Sequence, residues 1–393
     1  MGSEQPKGPI FVVGVMGSGT TLLRLMLDSH PNLAIAQETT FGRAVLAHKW
    51  IPFWLFGGEW YRRLGWTEEE LDVELRRFYA TIFGRFAEQQ GKQRWGDKSP
   101  HHLWMMRDLA SVFPEAVFVA AVRHPGAVAS SQHHRFGWSW GRAMDRWERG
   151  HLELAHRGGD LGDRLAVVRY EDLVLDAEQT LRELLAWLGE PWSPAVTQHH
   201  VVHGERGTPT QVEGKTRSTD PVDRARVVKW AESMAPEIRQ QLRQTVGPLG
   251  AFYGYDVDDP AALDPLPPPS SQRSRVVTGT ELAQRKAAFA QVRWKYRPKA
   301  AFANQRLKPQ RVALVAKSGG KRTRHHGTDA GGASPATDSS GPVRKKERSP
   351  AVVKTPLARV ARRVFAKLPD VTKAAIKGRL ARRDGVARGR PPV

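Results

Sequence analysis

The chain has 393 residues, of which 40% are hydrophobic, so it can bury a sizeable core and is not disordered as a whole. It contains no cysteine, which excludes disulfides, thiolate zinc sites and a cysteine nucleophile. The net charge is +21. From Asp259 onward lie 31 of the 61 Lys and Arg residues but only 8 of the 40 Asp and Glu residues. The basicity therefore belongs to the C-terminal part and gives no support for a nucleic-acid substrate.

The first predicted element is a strand over Ile10 to Gly14, followed by a glycine-rich turn and a helix that includes residues 22–27. Amides in such a turn bind anions, because they are unpaired and the helix dipole favours negative charge. The Gly14 to Gly19 spacing matches a nucleotide-binding P-loop, yet Thr20 stands where that loop has Lys, which weakens the case for triphosphate and metal chemistry. The predicted phosphate ligands are Gly17, Ser18, Gly19, Thr20 and Thr21.

Three further apolar runs, each followed by a turn and a helical pattern, predict buried parallel strands at residues 93–96, 117–122 and 165–169. This alternation predicts an α/β fold, a P-loop-like three-layer α/β/α core with a parallel sheet and helices on both faces. Between the first two strands lie a Trp-rich stretch at 50–61 and a helical pattern at 68–86. They suit either a lid or acceptor-side wall, or ordinary helix packing against the sheet.

The amino-acid composition changes after Tyr255, where a Pro-rich stretch indicates the end of a domain. The predicted division is a folded domain over 8–257 and, over 258–393, a Pro-rich linker with a basic, largely disordered tail that contains short helices, such as one over 281–293. The basic amphipathic segment 356–365 is typical of binding to an anionic membrane, nucleic acid or an acidic partner, although a solvated tail has the same pattern. With no signal pattern and no membrane-spanning run, we expect a cytoplasmic protein, either free or peripheral at the inner face of the membrane.

Five blocks follow one another in a characteristic order and spacing. They are the glycine-rich loop with Met26-Leu27-Asp28-Ser29-His30-Pro31 and Glu38-Thr39; Gly96-Asp97-Lys98-Ser99-Pro100; Phe113 to Pro125 with Ser130-Ser131; Val168 to Leu173 with Trp187-Leu188-Gly189; and Arg217 to Asp220 through Lys229-Trp230. Together they resemble the sulfotransferases that depend on 3′-phosphoadenosine 5′-phosphosulfate (PAPS), closest to the bacterial and tyrosylprotein-type branch. The resemblance covers about residues 8 to 255 and leaves the tail unexplained.

The resemblance implies a transferase that moves a sulfuryl group from PAPS to a hydroxyl or amine by metal-free in-line displacement, with adenosine 3′,5′-bisphosphate leaving. Such a donor needs two anion sites, and the glycine-rich loop is one. The second is predicted at Arg123 and Ser131, eight residues apart at a strand end and on the next helix, with Ser130 as the competing hydroxyl. Further nucleotide-binding candidates are Tyr170, which contacts adenine or simply packs, and Ser218 and Lys229, which add contacts to the same phosphate.

By resemblance the general base is Glu38, and Lys98 is the cation on the transferring group. His101 is the rival base, because histidine titrates near neutrality. The family usually has Arg or Lys where this chain has Gly17. Either Lys98 and the loop amides suffice, or Arg43 or Lys49 supplies the charge, or catalysis is impaired.

The acceptor cannot be read from the pattern; we expect a carbohydrate, a lipid or a small metabolite rather than a tyrosine of a secreted protein. The alternative function is a catalytically impaired nucleotide-binding protein that acts through its tail as a membrane- or partner-binding module. A nucleotide kinase is disfavoured by the missing loop Lys. Adjacent histidines at 101–102, 133–134 and 199–200 rarely face one ion together, so no metal site is predicted.

Overall fold

The computed structural model describes residues 7–49, 60–207, 220–232, 234–259, 274–289, 292 and 294. All of them lie within the first of two compact units, Met1–Leu314. The Trp-rich stretch before Trp60, the block at 217–219 and the amphipathic segment 356–365 lie outside the described residues.

A six-stranded sheet forms the centre of the fold, with the strand order β2-β3-β1-β4-β5-β6. The strands are β1 Ile10–Gly14, β2 Leu33–Gln37, β3 Arg94–Lys98, β4 Val117–Val122, β5 Leu165–Arg169 and β6 Val276–Thr278. The first five pair in parallel, and β6 pairs antiparallel with β5. Every residue of β1 is buried, as expected for a parallel strand with both faces covered.

Helices cover both faces of the sheet. They are α1 Thr20–Asp28, α2 Phe41–Lys49, α3 Glu68–Glu88, α4 Met106–Val112, α5 Pro125–Phe136, α6 Trp140–Leu161, α7 Tyr170–Leu175, α8 Ala177–Leu188, α9 His199–Glu205, α10 Lys229–Glu232, α11 Pro236–Phe252 and α12 Gly279–Ala288. Short 3-10 helices lie at Trp60–Leu64, Pro100–Trp104, Gly162–Arg164, Pro194–Val196 and Arg224–Val227. None of the helices in the described ranges is both long and apolar enough to cross a membrane.

Alternating side chains along β1 join two different cores, which makes the fold three-layered. Ile10 and Val12 pack with α1 and α8, whereas Phe11 and Val13 pack with α5, α6 and α11 on the opposite face. The predicted α/β/α core is therefore confirmed. The sheet is not fully parallel as predicted, because an edge strand can return antiparallel without a crossover helix.

The predicted domain end at residue 257 is wrong, because the chain returns to the sheet beyond the Pro-rich stretch. Val276 and Val277 of β6 are buried against the sheet, and Leu282 of α12 packs in the core at 1% exposure. Helix α12 begins with a capping box, in which Thr278 and Glu281 cap each other's backbone amides. It ends at Ala288, earlier than the predicted helix over 281–293. The domain boundary was misplaced because the Pro-rich stretch was taken as the end of the fold, whereas the capping box at Thr278 indicated a further helix.

We expect Leu282→Ala to lower the free energy of unfolding by about 2–4 kcal/mol, because a buried leucine loses its transfer free energy and leaves a cavity. Leu64, which is 68% exposed, provides the matched control: Leu64→Ala changes the same quantity by less than about 0.5 kcal/mol. Urea titration of both variants measures the difference. Equal stability of the two variants would show that α12 lies outside the cooperative core.

Candidate active site

A cavity of about 270 Å³ opens at the carboxyl ends of the parallel strands. It lies between the loop after β1 and the end of β4, where successive connections leave the sheet in opposite directions. In open α/β sheets this switch point is the usual ligand crevice. The cavity is lined by Gly17, Gly19, Thr20, Thr21, Leu22, Arg123, Ser131, Arg135, Tyr170, His199, Asp220, Pro221, Val222, Asp223 and Arg226.

The loop after β1 has the conformation of an anion-binding turn. Gly17 and Gly19 adopt φ angles of 95° and 89°, which favour glycine. Gly19 is the N-cap of α1 and offers no side-chain cap, and the first turn holds no acidic residue. The first amides of a helix have no partner within the helix, so those of α1 are available to an anion.

Gly17 cannot simply be exchanged for the basic residue usual in the family. A Cβ atom at this position would lie 3.3 Å from the Ser131 hydroxyl, and its φ angle is one that L residues rarely adopt. One alternative was that Lys49 supplies the charge missing at Gly17. The structure does not support it, because the buried ammonium of Lys49 pairs with Glu68 at 2.7 Å and Asp72 at 2.8 Å. Burial opposes its charge, yet these two carboxylates raise the pKa of Lys49.

Arg123, at the end of β4, connects three parts of the cavity wall. Its guanidinium donates to the Gly17 carbonyl at 3.2 Å and to the Arg226 carbonyl at 2.9 Å, and it lies 4.0 Å above the Tyr170 ring. Ser131 lines the same cavity. An arginine with donors to spare beside a hydroxyl is a suitable site for a phosphate.

Seven of the ten predicted nucleotide-binding residues line the cavity. They are Gly17, Gly19, Thr20, Thr21, Arg123, Ser131 and Tyr170. Tyr170 also packs against Gly19, where a Cβ would lie 2.3 Å from the Tyr170 ring.

Two of the other three predicted nucleotide-binding residues, Ser18 and Lys229, are not among the described residues that line the cavity. Ser18 is fully buried, and its hydroxyl has no hydrogen-bond partner among the described residues. Lys229 is exposed on α10 and outside the lining, because its neighbour Trp230 turns inward and stacks on His124 at 4.5 Å. Ser218 lies outside the described residues.

The rival hydroxyl of Ser130 is not part of the cavity lining. Its Oγ lies 3.4 Å from His134 Nδ1 within α5, and the residue is buried. Ser131, one position later on the helix, faces the cavity instead.

The sequence did not predict Leu22, Arg135, His199, Asp220, Pro221, Val222, Asp223 or Arg226 as nucleotide-binding residues, although they line the cavity. The position of Arg135 was readable, because it follows Ser131 by four residues and so lies on the same face of α5. His199 reaches the cavity only through the fold, without a local signal. The segment 220–226 belongs to the fifth block, but its individual lining residues were not predicted.

A lysine and a carboxylate meet beside the loop. Lys98 Nζ lies 2.8 Å from Glu38 Oε1 and 3.4 Å from the Thr21 hydroxyl. The backbone repeats the pairing, because the Glu38 amide donates to the Lys98 carbonyl at 2.8 Å. Lys98 is fully buried, whereas the Glu38 side chain is 42% exposed, so the carboxylate is accessible from solvent. The structure thus brings Glu38, Lys98 and the phosphate loop together.

His101, the rival base, lies on the 3-10 helix after β3. Burial and the charges of Arg146 and Arg43 lower its pKa, against the opposing charge of Glu38. The charge of Glu38 acts on His101, so the two candidate bases lie near each other. No group of three or more His, Cys, Asp or Glu residues in the described part of the chain has the arrangement of a metal site, and metal-free chemistry stays a prediction.

Comparisons with known proteins agree with the resemblance. The model of the sulfotransferase family matches residues 9–194. Protein-tyrosine sulfotransferase 1 of Danio rerio is 32% identical over 261 residues, which is 63% of this chain and 72% of that protein. Protein-tyrosine sulfotransferase of Drosophila melanogaster is 31% identical over 63% of this chain and 51% of its own length.

Two solved structures are similar to part of the chain. The sulfotransferase domain of the Synechococcus PCC 7002 olefin synthase is 25% identical with a TM-score of 0.43, over 62% of this chain and 96% of that one. A mouse sulfotransferase complexed with PAP is 13% identical with a TM-score of 0.37, over 61% of this chain and 85% of that one.

We expect Gly17→Ala to lower the free energy of unfolding by about 1–2 kcal/mol, because alanine is strained at a φ of 95°. Gly84, in the middle of α3 with open space around it, is the matched control. Gly84→Ala raises the same free energy by about 0.5–1 kcal/mol, since alanine is the better helix former. Thermal unfolding distinguishes the two signs, and a neutral Gly17→Ala would mean that the loop does not hold this conformation.

Proposed function

The chain belongs to the PAPS-dependent sulfotransferase family and is a sulfotransferase, and from this we propose that it moves the sulfuryl group of PAPS to a tyrosine hydroxyl of a polypeptide. One observation carries the proposal: Lys98 joins the carboxylate of Glu38 to Thr21 of the phosphate loop. A proton acceptor, a cation and an anion-binding turn thus lie within one connected site.

The donor has two anionic ends, and the cavity offers an anion site for each. The amides at the start of α1, with the hydroxyls of Thr20 and Thr21, bind the 5′-phosphosulfate. Arg123 and Ser131 bind the 3′-phosphate, with Arg135 one helical turn further on. The adenine ring occupies the part of the cavity between Leu22, Tyr170 and Val222, where apolar surface is available for packing.

The transfer is an in-line displacement at sulfur. The acceptor oxygen forms a bond to sulfur while the bond from sulfur to the 5′-phosphate oxygen breaks, and the acceptor proton passes to Glu38. Negative charge grows on the leaving phosphate oxygen, where Lys98 and the loop amides stabilise it. A buried ammonium is effective in this role, because the low local dielectric strengthens its interactions. Lys98 thereby compensates for the absence of a cation at Gly17.

The side chains around Glu38 suit a tyrosine of a protein better than the carbohydrate, lipid or metabolite expected from the sequence. The curated relatives are named for protein tyrosine as acceptor. The charges of Arg43 and Arg146 act on His101 beside Glu38, and Arg146 lies 4.5 Å over the Trp104 ring. Positive charge favours ionisation of a phenol and also attracts acidic neighbours of the tyrosine. A cytoplasmic location and a binding role of the tail stay predictions.

Arg123→Ala is expected to weaken binding of adenosine 3′,5′-bisphosphate by about 1.5–3 kcal/mol, the scale of a hydrogen bond to a charged group. Isothermal titration calorimetry measures the change. Arg149→Ala is the control, because Arg149 is an exposed arginine of α6 that pairs with Asp145. Equal affinity of the two variants would place the 3′-phosphate elsewhere, and wild-type affinity no better than millimolar would refute donor binding.

Glu38→Gln is expected to lower turnover by about 100-fold or more without weakening bisphosphate binding, because glutamine cannot accept the proton and Glu38 is not among the described residues that line the cavity. Transfer of labelled sulfate from PAPS to a tyrosine peptide with acidic flanks is measured, and Glu69→Gln on the exposed face of α3 is the control.

Transfer to sugars or lipids but not to the peptide would contradict the proposed acceptor. Bisphosphate binding without turnover on any acceptor would instead support the impaired nucleotide-binding protein.

A further inference from the structure

The segment that carries Glu38 has an unusual backbone. Glu38 has a φ of 37° and Thr40 a φ of 56°, and among the described residues these are the only non-glycine residues with positive φ. Each such residue costs free energy and persists only where its surroundings fix it. The turn from 38 to 40 therefore requires a group that holds it.

The end of β3 supplies that group. Asp97 Oδ1 accepts from the Thr39 hydroxyl at 2.8 Å and from the Thr39 amide at 3.3 Å. Asp97 Oδ2 accepts from the Ser99 hydroxyl at 2.8 Å, and the Ser99 hydroxyl in turn accepts from the Thr40 amide at 3.2 Å. Thr39 is thus fixed to Asp97 in β3, and Thr40 is fixed to Ser99, the first residue after that strand.

Lys98 holds the same turn from the other face of the sheet. Side chains alternate along a strand, so Asp97 and Ser99 lie on one face and Lys98 on the other. Lys98 contacts the Glu38 carboxylate and, through its carbonyl, the Glu38 amide. Three consecutive residues therefore fix the position of Glu38 from both faces.

The chemistry of Asp97 supports this role. Asp97 is completely buried, and burial raises its pKa to about 6. Because this pKa is still below neutral pH, the carboxyl group is ionised there despite the cost of desolvation. Its hydrogen bonds from Thr39 and Ser99 and the charge of Lys98 oppose that increase. His102 Nδ1 lies 3.4 Å away, but burial lowers the pKa of His102 to about 3, so it is neutral and forms no ion pair.

We propose that Asp97, through Thr39, is a positioning residue that holds the proton acceptor Glu38 in its left-handed conformation beside Lys98 and the phosphate loop. The inference rests on the proposed function of Glu38. Asp97 does not touch the reacting atoms, so its loss affects the rate of transfer and not the binding of the donor.

The first test is Thr39→Val, which removes the hydroxyl and keeps the shape. The value of kcat falls about tenfold or more, because a displaced base is a poor proton acceptor, while the donor KM and the bisphosphate Kd stay within about twofold. Thr39→Ser keeps the donor to Asp97 and restores kcat to within about threefold of the wild type. Thr180→Val is the matched control: this buried threonine of α8 donates to the carbonyls of Asp172 and Asp176, so its loss lowers Tm but leaves kcat unchanged.

A double-mutant cycle assigns the effect to the contact. Thr39→Val removes the donor of the Thr39–Asp97 hydrogen bond and Asp97→Asn removes the charge of its acceptor, so the double variant is no slower than the slower single variant. If the fold-decreases in kcat of the two single variants multiply in the double variant, the proposal is overturned. If Asp97→Asn does not fold, Ser99→Ala replaces it, because it removes the hydroxyl that connects Asp97 to the Thr40 amide.

Failure of the inference and failure of the proposed function give different results. An inactive Glu38→Gln together with a fully active Thr39→Val overturns only the positioning role. A Glu38→Gln variant that turns over like the wild type removes the proposed base and overturns both.

Discussion

The buried ammonium of Lys98 is the group that unites this active site. Removing a lysine from water is costly unless a partner and hydrogen bonds compensate, and here the Glu38 carboxylate at 2.8 Å is that partner. The same nitrogen lies 3.4 Å from the Thr21 hydroxyl, so one charge connects the proposed base to the phosphate loop. A buried lysine at this strand end brings the chemistry next to the anion site.

The sheet topology explains why two neighbouring parts of one edge perform different tasks. The loop after β1 and the end of β4 meet at the switch point and line the cavity proposed to bind the donor. The ends of β2 and β3 lie beside it on the other side of β1 and carry Glu38 and Lys98. Because parallel strands end at one edge, residues 60 positions apart in the chain become neighbours.

The charge of the site is a local property. Three arginines line the cavity among the described residues. Arg226 pairs with Asp223 at 3.2 Å, so its positive charge is partly neutralised. Arg123 and Arg135 remain as the cations on the side of α5. The net charge of +21 arises mostly beyond Asp259, so it describes the tail and not the cavity.

The sequence by itself determined the α/β class, four of the parallel strands, the phosphate loop, and Glu38, Lys98, Arg123 and Ser131 as residues of one site, because each has a local signal in strand ends, glycine spacing or family blocks. Only the tertiary structure decided that the chain rejoins the sheet at β6, that Ser18 and Lys229 are outside the cavity lining, and that His199 forms part of the wall. The conformation of the turn from 38 to 40 was equally unreadable, because its positive φ angles are favoured by contacts with Asp97 and Ser99 and not by its own residues. Local patterns determine what a segment can form, whereas the partner that a side chain meets depends on how distant strands are ordered in the sheet.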